Sequence, residues 1–310
     1  MQTNKIILDT DIGDDIDDAL ALALALRSPE LELLGVTTVF KNVRARAQLA
    51  RRLLDLGGRP DIPVFAGCPQ PLINRVDDRE VPCQWSADME NARCEEEESA
   101  AGFLVRQAAA FPGEVTLVPI GPLTNIAAAI AACPDFKSRI KRIVLMGGAF
   151  HSHFAEWNIY CDPEAARIVF ESGIPVVAVG LDVTLKCRLS RDEVDELKAM
   201  TGVAGDPYRN FLMELVDRWL RFSGNLPVLH DPLAVCAVFD EAVLTLKREV
   251  VQVETRGEFT RGLTFNRTGG DWVNPGESEE GAWIAEEVDA PRFFATFLPR
   301  VFGASFAGGR

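Results

Sequence analysis

A chain of 310 residues has room for one large α/β domain or two small ones, and 47% hydrophobic and 25% charged residues at a mean hydropathy of +0.05 are the composition of a water-soluble globular protein. A formal net charge of −14 excludes the basic footprint of a phosphate-backbone binder and of a protein held on anionic membrane. No apolar run approaches the roughly 18–20 residues that span a bilayer, and the first five residues lead into a strand pattern without a signal-peptide core, so a cytoplasmic location is expected.

The first strand is predicted over residues 6–8 and the first helix over 19–27. Residues 19–26 alternate Ala and Leu with the period of a strand, but both are strong helix formers and no strand former is present, so a helix buried nearly all round is expected. A strand at 33–39 and a helix at 43–56 follow. Residues 74–99 are polar and end in Glu95-Glu96-Glu97-Glu98, which reads as a long surface excursion. The alternation resumes with a strand at 115–119, a helix at 123–132, a strand at 142–146, a helix at 163–170 and a strand at 175–179. Residues 202–224 carry helix formers together with Trp219 and Phe222. Continuous apolar strands alternating with helices predict an open, doubly wound, mostly parallel sheet, in a single domain over residues 1–310. Ligands of such sheets bind beyond the carboxyl ends of the strands. The seven cysteines, Cys68, Cys83, Cys94, Cys133, Cys161, Cys187 and Cys236, are odd in number and lack CxxC spacing, so packing residues are expected rather than a zinc site.

Between the first strand and the first helix, Asp9-Thr10-Asp11-Ile12-Gly13-Asp14-Asp15-Ile16-Asp17-Asp18 places six acids in ten residues. Crowded carboxylates raise one another's pKa unless a cation compensates, and oxygen-rich loops of this kind hold calcium or magnesium. Asp17 and Asp18 equally suit the N-terminus of a helix. An EF-hand is excluded, because its sixth place is Asp14 and its twelfth Leu20. An apolar strand running into Asp9-x-Asp11 also suits a haloacid-dehalogenase-like, magnesium-dependent phosphatase, although Gly13 stands where such enzymes usually have Thr or Val.

Three further segments lie downstream: Gly121-Pro122-Leu123-Thr124-Asn125-Ile126-Ala127, then Ala155-Glu156-Trp157-Asn158 with Asp162-Pro163-Glu164-Ala165-Ala166, then His230-Asp231-Pro232. In this order, after the strand-linked Asp-x-Asp, they resemble the inosine–uridine-preferring nucleoside hydrolases over roughly residues 5–240. The resemblance implies hydrolysis of a ribonucleoside to free base and ribose, with Ca2+ bound and a homodimer or homotetramer as the assembly. It implies that Asp11 is both metal ligand and general base, that Asp18, Asp231 and the Ile120 carbonyl complete the metal shell, and that Asp17, Asn42, Glu156 and Asn158 hold the ribose. Trp157 would lie against the sugar and Trp219 beside the base, with His230 assisting its departure.

The acidic motif departs from the family's usual Asp-x-Asp-Pro-Gly-x-Asp-Asp. Aligning on the helix start makes Asp17 the ribose contact and Asp18 the ligand; aligning without a gap brings in Asp15 and puts Ile16 at a ligand place, which its chemistry does not suit. Residues 74–99 also lack the His-Gly stretch that many members carry. Such a site would meet the demands of an oxocarbenium-like transition state: activated water, carboxylates facing the growing positive charge and a proton donor for the base. The competing readings are the phosphatase using Asp9 and Asp11, and a nucleoside or sugar binder that keeps the metal site without turnover.

Overall fold

The computed structural model describes residues 3–95, 97–200, 206–267, 269–270, 275–276 and 281–303. The first strand, β1 (Asn4–Thr10), is apolar on both faces and runs parallel to β2 (Leu31–Thr38) on one side and to β4 (Val115–Pro119) on the other. β3 (Val64–Ala66) extends the sheet beyond β2, and β5 (Ile140–Met146) and β6 (Val176–Val179) extend it beyond β4, all in parallel. β7 (Leu244–Val253), β8 (Thr264–Arg267) and β11 (Ala282–Val288) complete a nine-stranded sheet of order β3-β2-β1-β4-β5-β6-β11-β7-β8. β11 joins β6 in parallel, whereas β7 and β8 pair antiparallel. β9 (Gly269–Gly270) and β10 (Pro275–Gly276) form a separate two-stranded ribbon. The doubly wound, mostly parallel sheet expected from the first 180 residues is present, with its antiparallel edge formed by later strands.

Helices cover both faces. α1 (Asp17–Leu26) is a helix despite its period-two pattern, with residues 17–25 all buried, because packing on two sides leaves no face to keep polar. It shares one core with α2 (Val43–Leu56), α10 (Pro207–Ser223), α11 (His230–Phe239) and α12 (Ala290–Phe302). The opposite core is made with α3 (Ala100–Ala110), α4 (Thr124–Ala132), α5 (Phe136–Arg139) and α7 (Pro163–Phe170). The short α6 (Trp157–Cys161) and α8 (Leu181–Thr184) follow β5 and β6, and α9 (Arg191–Met200) precedes α10.

Helix boundaries with a local signal fall where it stands. Asn42 caps α2 by accepting from the Ala45 N–H, 3.1 Å. Asp162 caps α7 ahead of Pro163, whose missing N–H costs nothing at a first turn. The carboxylate of Asp162 also accepts from Thr124 Oγ1 (2.7 Å) and Leu72 N (2.9 Å), so one buried acid ties the α4 turn, the α7 start and the loop after β3 together.

Residues 74–99 are more than a surface excursion. Gln84 is fully buried and its amide donates to the Asp15 carbonyl (2.5 Å), while Pro82 packs on Gly13. Arg218 of α10 donates to the Gln84 carbonyl, 2.8 Å. The segment is the outer wall of the acidic loop, a pairing between positions about 70 residues apart that no local pattern announces.

Candidate active site

β1 delivers its acids to the carboxyl edge of the sheet and α1 receives them. Gly13, at φ +122°, lets the chain turn between the two, in a conformation that side-chain-bearing residues rarely adopt. Gly121 lets the β4–α4 turn come close: a Cβ there would lie 2.8 Å from Asp11 Oδ1. Arg46, on α2 and 1% exposed, holds the loop from beneath. Its guanidinium donates to the carbonyls of Phe40 (2.8 Å), Asp11 and Ile12 (3.0 Å) and to the Asp14 carboxylate (2.7 Å).

Asp9 does not face this site. It is buried, with Oδ1 accepting from Asn125 Nδ2 (2.7 Å) and Thr37 Oγ1 (2.5 Å), and burial pushes its pKa up to about 7. A carboxylate so engaged is a strut between β1, β2 and α4, which disfavours the phosphatase reading that needs it as nucleophile.

Asp17, Asp18 and Asp231 are buried and each offers an oxygen within 4.8 Å of the others, an arrangement that could hold a metal ion. Asp18 Oδ1 accepts from Thr10 Oγ1 (2.5 Å) and Asp17 Oδ2 from the Asp231 N–H (3.2 Å). Burial first, and the neighbouring carboxylates next, hold all three pKa values well above the usual range. Ile16, the ligand position of the ungapped alignment, is instead a fully buried core residue. Asp15 lines the same cavity but is not one of the three; its carboxylate accepts from the Ile16 N–H, 2.6 Å. Asp11 is beside the cluster, its pKa raised to about 6 by burial against the opposing pull of Arg46.

Glu156 and Asn158 reach the cavity from the start of α6. Glu156 is the N-cap of α6, its carboxylate accepting from the N–H groups of Asn158 (2.9 Å), Ile159 (3.1 Å) and Gly148 (3.1 Å). Burial nevertheless raises its pKa to about 7. The Asn158 amide donates to the carbonyls of Ile120 (2.9 Å) and Met146 (3.1 Å), joining the ends of β4 and β5. Trp157 is 55% exposed and meets Phe40 edge-on at 6.4 Å.

His230 opens α11 beside Asp231. Its Nδ1 lies 2.7 Å from Thr184 Oγ1, and burial lowers its pKa to about 4. Burial thus favours the neutral form of the ring. Trp219 lines the cavity from α10, against Phe222 at 6.4 Å. Together these residues enclose a cavity of about 680 Å³, within the size range of small-molecule sites.

Of the residues expected at a site, Asn42 alone does not line this cavity. Its carboxamide accepts from the Ala45 N–H as the α2 cap and donates to the Arg79 carbonyl (3.2 Å). Arg46, Thr184, Gln84 and Lys41 escaped the sequence reading. An arginine in a polar helix, a threonine after a strand and a glutamine in a polar stretch carry no local mark of burial or of a partner more than 30 residues away.

The sequence of this chain matches the model of the inosine-uridine preferring nucleoside hydrolase family over residues 6–295. It is 40% identical to uridine nucleosidase 1 of Arabidopsis thaliana over 82% of this chain and 79% of that protein. It is 34% identical to the inosine-uridine preferring nucleoside hydrolase of Crithidia fasciculata, over 95% and 96% of the two chains. The solved plant nucleoside hydrolase PpNRh1 superposes with a TM-score of 0.84 at 30% identity, covering 97% of this chain and 99% of that one. The chain belongs to the inosine-uridine preferring nucleoside hydrolase family, enzymes that hydrolyse the N-glycosidic bond of ribonucleosides.

Proposed function

We propose that this enzyme releases ribose from nucleosides of the inosine or uridine type, using Asp11 as general base beside a calcium ion. The observation that carries this reading is the buried trio Asp17, Asp18 and Asp231 in one cavity with Asp11, Glu156, Asn158 and His230. The donor set is oxygen throughout, and carboxylates driven toward protonation by one another are what a divalent cation relieves, so the residues fit calcium. Asp11, Asp18, Asp231 and the Ile120 carbonyl would hold it, with Asp15 next to them. When bound, the ion supplies positive charge that lowers the pKa of water at neutral pH.

The chain's own groups account for the rest. Burial makes the Asp11 carboxylate a stronger proton acceptor than a free aspartate, which suits it to take a proton from water. The C–N bond breaks with its electron pair leaving on the base nitrogen, and the positive charge left on the ribose faces the carboxylates of Asp17 and Glu156. Asn158 and Glu156 hold sugar hydroxyls, Trp157 lies along the ribose, and Trp219 flanks the base. His230, neutral and held by Thr184, assists as a hydrogen-bond donor rather than as an imidazolium.

The sheet continuing through both cores supports a single domain. Among the described residues no helix is long and apolar enough to cross a membrane, and with the free cysteines this accords with a cytoplasmic enzyme. We take the assembly to be a homodimer or homotetramer, which sedimentation would establish. The test of the reaction is reducing-sugar release from a panel of ribonucleosides, with and without chelator, for the native chain and Asp11→Ala. Ribose lost with chelator and with the substitution supports it. No ribose from any nucleoside, with metal bound, leaves a binder.

A further inference from the structure

The turn between β2 and α2 holds two successive side-chain-bearing residues in the left-handed region, Phe40 at φ +67° and Lys41 at φ +57°. Such conformations are strained outside glycine and persist only where the surroundings over-determine them. Phe40 is compensated by its buried ring, by its N–H donating to the Cys68 carbonyl (2.9 Å) and by its carbonyl accepting from Arg46 (2.8 Å). Lys41 engages only its backbone, the N–H donating to the Pro69 carbonyl (2.8 Å) and the carbonyl accepting from Val43 N (2.9 Å). Glycine would make both bonds without strain, so the side chain calls for a separate reason. It lines the cavity, where among the described residues it is the one lysine or arginine. Among those residues its ammonium makes no ion pair or hydrogen bond; Nζ stands 5.7 Å from the centre of the Phe40 ring.

That neighbour places the ammonium on the sugar side. Phe40 meets Trp157 edge-on at 6.4 Å, and Trp157 opens α6 between Glu156 and Asn158. The hydrogen-bonding groups of this side are one-sided. The Glu156 carboxylate accepts, and the Asn158 amide spends its N–H groups on the carbonyls of Ile120 and Met146, which leaves its oxygen. A hydroxyl brings one proton and two lone pairs, so a sugar hydroxyl that donates to such an acceptor still has lone pairs in need of a donor. The vicinal hydroxyls at C2′ and C3′ can engage the clustered carboxylates of Asp17, Asp18 and Asp231 together. The 5′-hydroxyl, on a methylene arm, is the one with the reach to leave that buried floor for the wall where Lys41 stands.

We propose that Lys41 is a substrate-contacting residue whose ammonium donates a hydrogen bond to the 5′-hydroxyl oxygen of the ribose and so selects for nucleosides that carry it. The contact serves binding and not bond cleavage, because a cation beside the sugar gains nothing as positive charge grows on the ring. This rests on the hydrolase reading above.

The experiment measures kcat and KM for wild type, Lys41→Met, Lys41→Gly and Lys41→Arg on the faster of uridine and inosine and on its 5′-deoxy analogue. Lys41→Met keeps the length of the side chain and removes the donor. Its KM on the nucleoside should rise about tenfold, as for one hydrogen bond from a charged group, with kcat within about twofold of wild type. On the 5′-deoxy analogue KM should change by less than about twofold, since the acceptor is gone. Lys41→Gly, which relieves the left-handed φ, should show the same split, and Lys41→Arg should recover most of the nucleoside affinity. Where the analogue turns over too slowly, its inhibition constant against the nucleoside takes the place of KM in the same comparison. Equal changes on the two substrates, a loss confined to kcat, or no change on either, overturn the role of Lys41 and leave the hydrolase intact. A wild type that releases ribose from no nucleoside overturns the hydrolase reading and this inference with it.

Discussion

Thr184 Oγ1 lies 2.7 Å from His230 Nδ1, a contact between the end of α8 and the start of α11 that fixes one ring nitrogen. The hydroxyl can donate to or accept from the ring nitrogen, so it pairs with either tautomer and holds the imidazole in place. Thr184→Val keeps the shape and removes the partner. We expect kcat on nucleosides to fall about fivefold, as for one neutral hydrogen bond, with KM nearly unchanged. Steady-state kinetics at pH 7 decide it; an unaltered kcat would show that the ring needs no such hold.

Glu156 gives a pH signature. Its pKa rises from 4.5 to about 7 on folding because of burial. A raised acid contributes stability that is fully present below pH 4.5 and is lost as pH rises through 7. Glu156→Gln removes this dependence. In metal-free protein the variant should melt higher than wild type at pH 8 and little differently at pH 4.5, while kcat/KM falls by about 100-fold or more through lost charge stabilisation. Thermal melts at the two pH values, beside kinetics, check both halves.

Calcium should act in the same direction as deprotonation. Asp17, Asp18 and Asp231 have pKa values held well above normal, so cation binding must displace protons. Its affinity, measured by calorimetry, should rise from pH 5 to pH 8, and the gain in melting temperature on adding calcium should be larger at pH 8. Asp18→Asn should abolish most of that gain. A pH-independent affinity would place the ion elsewhere.

Arg46 is expected to be among the most sensitive residues outside the cavity. Arg46→Met leaves three backbone carbonyls and the Asp14 carboxylate without their donor, which costs about 3–5 kcal/mol for a buried charged hub. Denaturant unfolding should show the loss, and calcium affinity should fall with it because the acidic loop is no longer held.

Asn42→Ala separates a helix cap from a sugar contact. Loss of the cap costs about 1 kcal/mol. We expect that loss in chemical denaturation, with kcat/KM within about threefold of wild type. A much larger kinetic loss would show that Asn42 turns toward substrate during turnover.

The sequence by itself determined the alternating α/β order, helices such as α2 and α7 whose capping residues stand beside them (Asn42 and Asp162), and the acid-rich loop between a buried strand and a buried helix. Those are local matters, set by propensity, by caps and by apolar pattern within a few residues. The tertiary structure decided which acids meet. Asp231 comes to Asp17 across 214 positions because α11 packs on α1, and Gln84 covers Asp15 from a stretch that reads as plain surface. It also set the Asn42 carboxamide at the cap of α2 and buried the His230 ring beside Thr184. Burial and long-range neighbours set a side chain's partners and its charge state, and neither quantity exists until the sheet has brought distant loops to one edge.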